Sequence, residues 1–496
     1  MIVVRRSGLV ALLLAVVSGT AIAQSAASGG ALDPARLERL LRPAVKVADR
    51  PDKAYDLVER MKRYHVPGVS IAVIDGWRIV LAKGYGVTQF GGTTSVDTAT
   101  LFQAGSISKP VFASGVMRLV QDGKLDLDQD VNQRLTSWRV PDSRFTEREK
   151  VTLRRLLSHT AGLTVWGFPG YAHDKPVPTV PQVLDGQKPA NTAAVRNDTT
   201  PGARWLYSGG GFTVAQLVTT DVTGEPFPDL MRRLVLAPAG MVHSGYENPL
   251  PPARARFAAS GHERVDTPVP GRFHTYPEMA AAGLWTTASD LARWAIAMSR
   301  SALGRPGGFL TQAAAAEMLT SQVRVQPPYG SGEWGVGVAL AGSGDSLAFS
   351  HGGRDEGFVA QVYMWPRLGR GYVVMMNGVN GGLIAEIARG FRELYGLPLA
   401  RVVKAVAASD PASLEAAPGR YRIQNAEWVV RRNGDELRML NPIGIELTLL
   451  PQGKDSYVDL ESGVDWSFER DTAGAVVGLA RVQGGRRIVA ERVVPR

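Results

Sequence analysis

Gly105-Ser106-Ile107-Ser108-Lys109-Pro110-Val111-Phe112-Ala113-Ser114-Gly115-Val116-Met117-Arg118-Leu119-Val120 reads as a helix start followed by a helix with almost no polar relief. Val111, Phe112, Val116, Leu119 and Val120 recur at three- and four-residue steps until Gln121-Asp122, which predicts a mostly buried helix from Ser106 to about Gly123. A serine hydroxyl is a weak nucleophile at neutral pH and needs a base beside it; a lysine three residues on lies one helical turn away on the same face. Burial lowers the pKa of such a lysine, so Lys109 can accept a proton from Ser106. Pro110 is tolerated only where a helix begins, which puts Ser106 at the N-terminus, where free N–H groups can hold an oxyanion. A Ser-x-x-Lys match alone is common by chance on solvated surfaces. The apolar run beside Lys109 is what sets this one apart.

Outward from that helix the chain alternates in texture. Val69 to Ile74, a turn at Asp75-Gly76, and Trp77 to Leu81 read as a hairpin with a two-residue loop. Further helices are expected around Thr152 to Leu157, Thr213 to Val222, Ala288 to Ser299 and Ile384 to Tyr395. Strands are expected at Gly335 to Leu340, Gly357 to Met364 and Gly371 to Met376. Strands, helices, strands and a closing helix describe an α+β core whose antiparallel sheet joins the two ends of its sequence. The expected organisation is a leader at 1–23, an N-terminal surface arm at 24–50, a main domain at 51–398, a linker at 399–411 and a small all-β domain at 412–496. The last rests on short alternating segments from Glu427 to Val493, separated by turns such as Asn433-Gly434, Gln452-Gly453, Gly474 and Gly484-Gly485; they suit a small β-barrel.

Composition narrows the setting. With 496 residues, 45% hydrophobic and 21% charged, the chain has the balance of a soluble globular protein. Arg5-Arg6, the apolar stretch Leu9 to Val17 and Ala21-Ile22-Ala23 form a signal-peptide pattern with cleavage near Ala23, and the run is too short to span a bilayer. The expected location is therefore periplasmic or secreted, with no stable membrane span. The chain has no cysteine, which excludes disulfides, a thiol nucleophile and thiolate metal sites. The basic residues behind the net charge of +10 are scattered, so nucleic acid is not an expected partner.

A second constellation is Pro201-Gly202-Ala203-Arg204-Trp205-Leu206-Tyr207-Ser208-Gly209-Gly210-Gly211, a turn and an aromatic stretch leading into another helix. With it the chain resembles the serine β-lactamase and penicillin-binding superfamily, most closely its class C and family VIII esterase-like branch. That family combines a Ser-x-x-Lys helix start, a Tyr-x-Asn loop and a Lys-Thr-Gly type strand. The resemblance covers about Arg50 to Pro398 and implies an antiparallel sheet flanked by helices, with an all-helical lobe. It places the nucleophile at Ser106, its partner at Lys109 and the loop tyrosine at Tyr207. His351-Gly352-Gly353 stands as the third element, before a strand beginning near Gly357, and Leu156 to Leu163 and Ala282 to Thr287 also have the family's look. The implied oxyanion site lies between the backbone N–H groups of Ser106 and Arg354, with His351, Gly353 and Gly209 in the substrate-binding set. No cofactor and no metal are implied.

Two departures from the family pattern bear on substrate. Gly209 replaces the usual Asn, removing a hydrogen bond to the substrate's acyl amide worth about 0.5–1.5 kcal/mol. His351 replaces Lys, exchanging a fixed charge for one expected to titrate near neutrality. Both favour esters, or amides with a free amine, over β-lactams and peptides ending in a carboxylate. The expected function is an exported serine hydrolase, esterase or D-aminopeptidase-like. The alternatives are a class C-like β-lactamase or DD-peptidase, and a non-catalytic penicillin-binding-like receptor.

Other residues read as structural. His65, His159, His173, His243, His262 and His274 lack metal-ligand spacing. Gly68-Val69-Ser70-Ile71-Ala72 misses the last glycine of a nucleophile elbow. Trp166, Trp205, Trp285 and Trp334 suit the core, with one or two free to wall a cleft, and Asn377 and Glu356 are expected at its edge.

Overall fold

A computed structural model describes residues 33–264, 266–326, 332–398, 401–423, 425–483 and 486–493. The expected leader, the first part of the arm and the Gly484-Gly485 turn lie outside the described residues. One antiparallel sheet of eight strands organises the main body, in the order Arg78–Gly86, Gly68–Asp75, Arg370–Met376, Phe358–Trp365, Ala348–Asp355, Ala339–Ala341, Gly332–Trp334, Val323–Val325. Val69 pairs with Met376 and Ile74 with Gly371, so the two ends of the body meet in mid-sheet. Both faces there are covered, which is why these strands are apolar throughout. Val69, Ile71, Val73, Val374 and Met376 pack with Leu383, Ile387 and Phe391 of the helix Gly382–Leu394. Ala72, Ile74, Val373 and Met375 face the core that holds Trp294 and the serine helix Ser108–Gln121.

Two expectations for this sheet change in detail. Asp75 pairs with Arg78, so the hairpin turn is Gly76-Trp77, one residue later than expected. Both turn residues have positive φ, 58° and 56°, as the twist of a two-residue hairpin demands. Trp77 holds this conformation because its ring lies against Gly369, its indole N–H donates to Pro366 O at 2.9 Å, and the Arg305 guanidinium stands 3.7 Å from the ring centroid. Of the expected strand Gly335 to Leu340 only Ala339 and Leu340 are strand; Gly335 to Val338 is a tight turn between two short strands. Its alternation of glycine and valine mimics a strand, but Val336 and Val338 point into the core and Gly337 closes against Ala113 of the serine helix.

From Pro34 onward the arm is not a surface element: Leu37 and Leu41 are buried against the helix Gly382–Leu394, and Val45–Val47 pairs in parallel with Val402–Lys404. The segment expected as a linker thus carries a strand of its own.

Eight C-terminal strands close into a barrel. The strand missing from the sequence reading, Gly419–Ile423, joins Arg486–Arg492 and removes the last open edge. Tyr421 on that strand is fully buried and donates its hydroxyl to Ala417 O at 2.6 Å.

Barrel and body share a buried charge network. Arg60 Nε donates to Glu386 at 2.7 Å, Tyr64 donates to the same carboxylate at 2.7 Å, and Arg63 reaches Glu461 of the barrel at 2.8 Å. Removing one member of a buried pair strands the other charge, so Glu386→Ala is expected to cost roughly 3–5 kcal/mol. The measurement is the denaturant midpoint of unfolding; an unchanged midpoint would mean that the network contributes nothing.

Candidate active site

The serine turn is built by a close approach of two backbones. Gly105 has φ of +52°, and a side-chain carbon there would lie 2.4 Å from the backbone nitrogen of Arg354, so only glycine fits. Residues Gly105–Ile107 form a 3-10 turn, and the α-helix proper begins at Ser108. Pro110 therefore sits in its first turn, where its missing N–H costs no hydrogen bond. Ser108 was not singled out by the sequence, yet it fixes the turn. Its hydroxyl donates to Gly105 O at 2.6 Å and accepts the Leu284 N–H at 3.0 Å. The repeated serine in Ser106-Ile107-Ser108 was the available signal.

Lys109 is only 2% exposed. Its Nζ donates to Ser106 Oγ at 2.9 Å and to Ala281 O at 2.8 Å, and lies 5.0 Å from the centre of the Tyr207 ring. Burial brings the lysine pKa down to about 7, opposed in part by the negative field of Asp355. At neutral pH the amine is thus a usable base. The Tyr207 hydroxyl is hydrogen-bonded to the Ser106 side chain, and burial pushes this phenol above its usual range, so it stays protonated.

His159 supports the tyrosine loop. Its ring lies 4.2 Å from that of Tyr207, its Nδ1 accepts the Ser208 N–H at 3.1 Å, and its carbonyl accepts the Leu206 N–H at 2.7 Å. Burial and the charge of Lys109 keep it neutral. Sequence neighbours gave no hint of this role, because the facing residues come from a loop 49 positions away. Trp205 and Trp334 form a small buried cluster beneath Tyr207. Trp285 is core, and Trp166, 73% exposed, is the tryptophan that walls the cleft.

A cavity of about 690 Å³ brings together Ser106, Lys109, Tyr207, His351, Gly353 and Arg354. Gly209 does not line it. The Gly209 N–H donates to Trp166 O at 3.1 Å, and a side-chain carbon on Gly209 would meet the Phe168 ring at 3.0 Å. An aromatic ring from the neighbouring loop therefore occupies the space beside residue 209. Glu356 lines the cavity, whereas Asn377 is buried elsewhere, accepting the Gly68 N–H at 2.7 Å and donating to Thr88 O at 2.9 Å.

His351 departs from the expected titration near neutrality. Burial first, then the nearby Lys109, push its pKa down to about 3. Nδ1 lies 2.6 Å from Gly352 O, which makes it the protonated nitrogen, and Nε2 is left as a buried acceptor without a partner among the described residues. The site accordingly holds a neutral imidazole where the sequence suggested a switchable charge. Arg354 is exposed at the cavity and makes no ion pair among the described residues.

Behind the site lies Glu278, fully buried, with no hydrogen bond from its carboxyl oxygens to any other residue among the described residues. Burial raises its pKa to about 8. A carboxyl whose folded pKa exceeds its unfolded value binds more protons in the folded state, so stability falls as pH rises from about 4.5 through 8. Glu278→Gln is expected to flatten that decline and to raise Tm above pH 8, read by thermal unfolding across pH. A parallel decline in the variant would exclude Glu278 as its source.

The sequence profile of the family described as Beta-lactamase matches residues 56–395. Penicillin-binding protein 4 of Amycolatopsis lactamdurans is 29% identical over 348 residues, which is 67% of this chain and 86% of that protein. D-alanyl-D-alanine-carboxypeptidase/endopeptidase AmpH of Escherichia coli is 23% identical over 352 residues, 70% of this chain and 83% of its own. Esterase EstB of Burkholderia gladioli is 29% identical over 232 residues, 46% of this chain and 57% of that esterase. In fold, the octameric penicillin-binding protein homologue from Pyrococcus abyssi superposes with a TM-score of 0.61 at 19% identity, over 88% of this chain and 96% of the other. A dry Ser-x-x-Lys turn facing a tyrosine loop, on this sheet and with this profile match, makes the chain a serine hydrolase of the Beta-lactamase family.

Proposed function

We propose that the protein cleaves an ester or amide bond through an acyl-enzyme on Ser106, in the manner of an esterase or D-aminopeptidase. The observation that carries this reading is the 2.9 Å contact between Ser106 Oγ and a lysine whose pKa is brought to about 7. In the neutral form of Lys109 the Ser106 hydroxyl donates to Nζ. As Oγ attacks the carbonyl, that proton passes to Lys109, and Tyr207 relays a proton to the departing alcohol or amine. The tetrahedral oxygen is held by the N–H groups of Ser106 and Arg354. Water then attacks the ester on Ser106, returns its proton through the same pair and releases the acid.

Neutral His351 and the ring of Phe168 beside Gly209 favour substrates without a carboxylate near the cleaved bond. The named activities of the relatives, an esterase and a D-alanyl-D-alanine carboxypeptidase/endopeptidase, span the same ester and amide chemistry. Action after export, in the periplasm or medium, is supported by the basic, apolar and small-residue segments ending near Ala23.

Incubation with a fluorophosphonate is expected to add one adduct mass to the protein and none to Ser106→Ala, whose ester turnover should fall by at least 1000-fold, in the range of a lost nucleophile. Full turnover in Ser106→Ala would end the proposal. The pH profile is a second check. The active form is the neutral amine, so kcat/KM for an uncharged ester should rise about tenfold per pH unit below 7 and level off above it. A profile already flat from pH 5 would remove Lys109 as the base.

A further inference from the structure

A second cavity, of about 320 Å³, opens where the arm, the helix Leu57–Arg63, the segment around Arg401 and the barrel meet, and the chemistry above makes no use of it. Its wall gathers six cations from these four segments: Arg50, Lys53, Arg60, Arg63, Arg401 and Arg438. Four acids answer them, Asp52, Glu436 and Glu461 in the same wall and Glu386 bonded to Arg60 behind it, so two positive charges are left over. Arg401 holds Asp52 through two nitrogens at 2.6 and 2.8 Å, Arg438 meets Glu436 at 2.6 Å, and Arg63 meets Glu461 at 2.8 Å. The surplus falls on Arg50 and Lys53, neither of which forms an ion pair among the described residues.

The backbone that carries these two is tied down. Asp52 stands between them, fixed by Arg401, and its carbonyl accepts an N–H of Arg42 at 3.1 Å. Arg50 and Lys53 therefore reach the cavity mouth from an anchored loop, with Lys53 Nζ 5.3 Å from the centre of the Tyr55 ring. Deeper in, Arg63 keeps a quarter of its side chain exposed, and among the described residues all its side-chain hydrogen bonds run through Nη2, to Glu446 O, Thr448 Oγ1 and Glu461. Its Nη1 is thus an open donor, and a guanidinium fork suits phosphate or carboxylate oxygens. A phosphate monoester carries a charge of about −1.5 to −2 at neutral pH, which matches the surplus, whereas a carboxylate balances half of it. The volume falls at the lower end of small-molecule sites, roughly 300–1,000 Å³, and leaves room for more than the phosphate. Val45, Val47, Leu450 and Leu460 give the wall an apolar stretch for the remainder.

We propose that this junction cavity binds a small organic phosphate monoester, its phosphate held by Arg50, Lys53 and Arg63 and its organic part against the apolar stretch. No bond is made or broken there. The ligand bridges the arm, the helix Leu57–Arg63 and the barrel, and the site is independent of the acyl-enzyme reading of Ser106.

The test is calorimetric titration of the full chain at low salt with phenyl phosphate, benzoate and benzyl alcohol. Phenyl phosphate is expected to bind one to one with a Kd of about 1 mM or below. It should bind at least tenfold more tightly than benzoate or benzyl alcohol, and more weakly as salt is raised. The double variant Arg50→Gln/Lys53→Gln alters two exposed side chains and is expected to weaken that binding at least tenfold. No saturable binding of phenyl phosphate, benzoate binding as tightly, or an unchanged Kd in the folded double variant overturns the proposal. Should the variant fail to fold, arginine modification of the wild type decides it. Phenyl phosphate should slow the reaction of Arg50 and Arg63 with phenylglyoxal, read by peptide mass, more than benzyl alcohol does at equal concentration, and equal protection overturns the proposal.

Discussion

The amine of Lys109 is kept away from water between Ser106 Oγ and the carbonyl of Ala281, and the rest of the site follows from that confinement. An ammonium ion in such a place loses its hydration and gains only two hydrogen bonds in return. Asp355 nearby opposes part of that loss, drawing the lysine pKa upward without a hydrogen bond to it. A salt bridge to Lys109 would have fixed the proton on the lysine. An empty field of the same depth would have removed the proton outright. The arrangement between these extremes is what brings a lysine to the pH range where it can exchange a proton with a serine.

The same low-dielectric setting decides the state of every neighbour. His159 and His351 are both held neutral, one as a packing surface for Tyr207 and the other as an acceptor turned towards the cavity. Tyr207 is held protonated by the same burial. Steric exclusions complete the arrangement. Gly105 lets the strand backbone at Arg354 approach the serine turn, and Gly210, whose missing side chain would overlap Thr164 O and Val195, lets the 164–168 loop fold over the tyrosine helix. These glycines are positions where a second backbone, or a side chain from another element, fills the volume.

The barrel is coupled to this body at some remove from the chemistry. Arg60 and Arg63 leave one short helix towards Glu386 of the body and Glu461 of the barrel, so a single turn of helix bridges the two. The parallel pairing of Val45–Val47 with Val402–Lys404 adds a backbone link between segments that read, in the sequence, as an arm and a linker. Segments as short as these carry no periodicity of their own, and their order comes from what they lie against.

Local chemistry determined a great deal. A serine and a lysine one turn apart, a proline legal only at a helix start and an apolar run behind it specify the reactive pair. The alternation and turn residues specify four of the eight strands of the main sheet and seven of the eight in the barrel. These features are legible because they depend on spacing along the chain, which the sequence contains directly. Tertiary structure alone decided the charge on His351, the support of Tyr207 by His159, the exclusion of Gly209 and Asn377 from the cavity, and the burial of Asp355 near Lys109. Each of these depends on which distant groups share one small, water-poor volume, and desolvation is a property of that volume and not of any residue's neighbours in sequence.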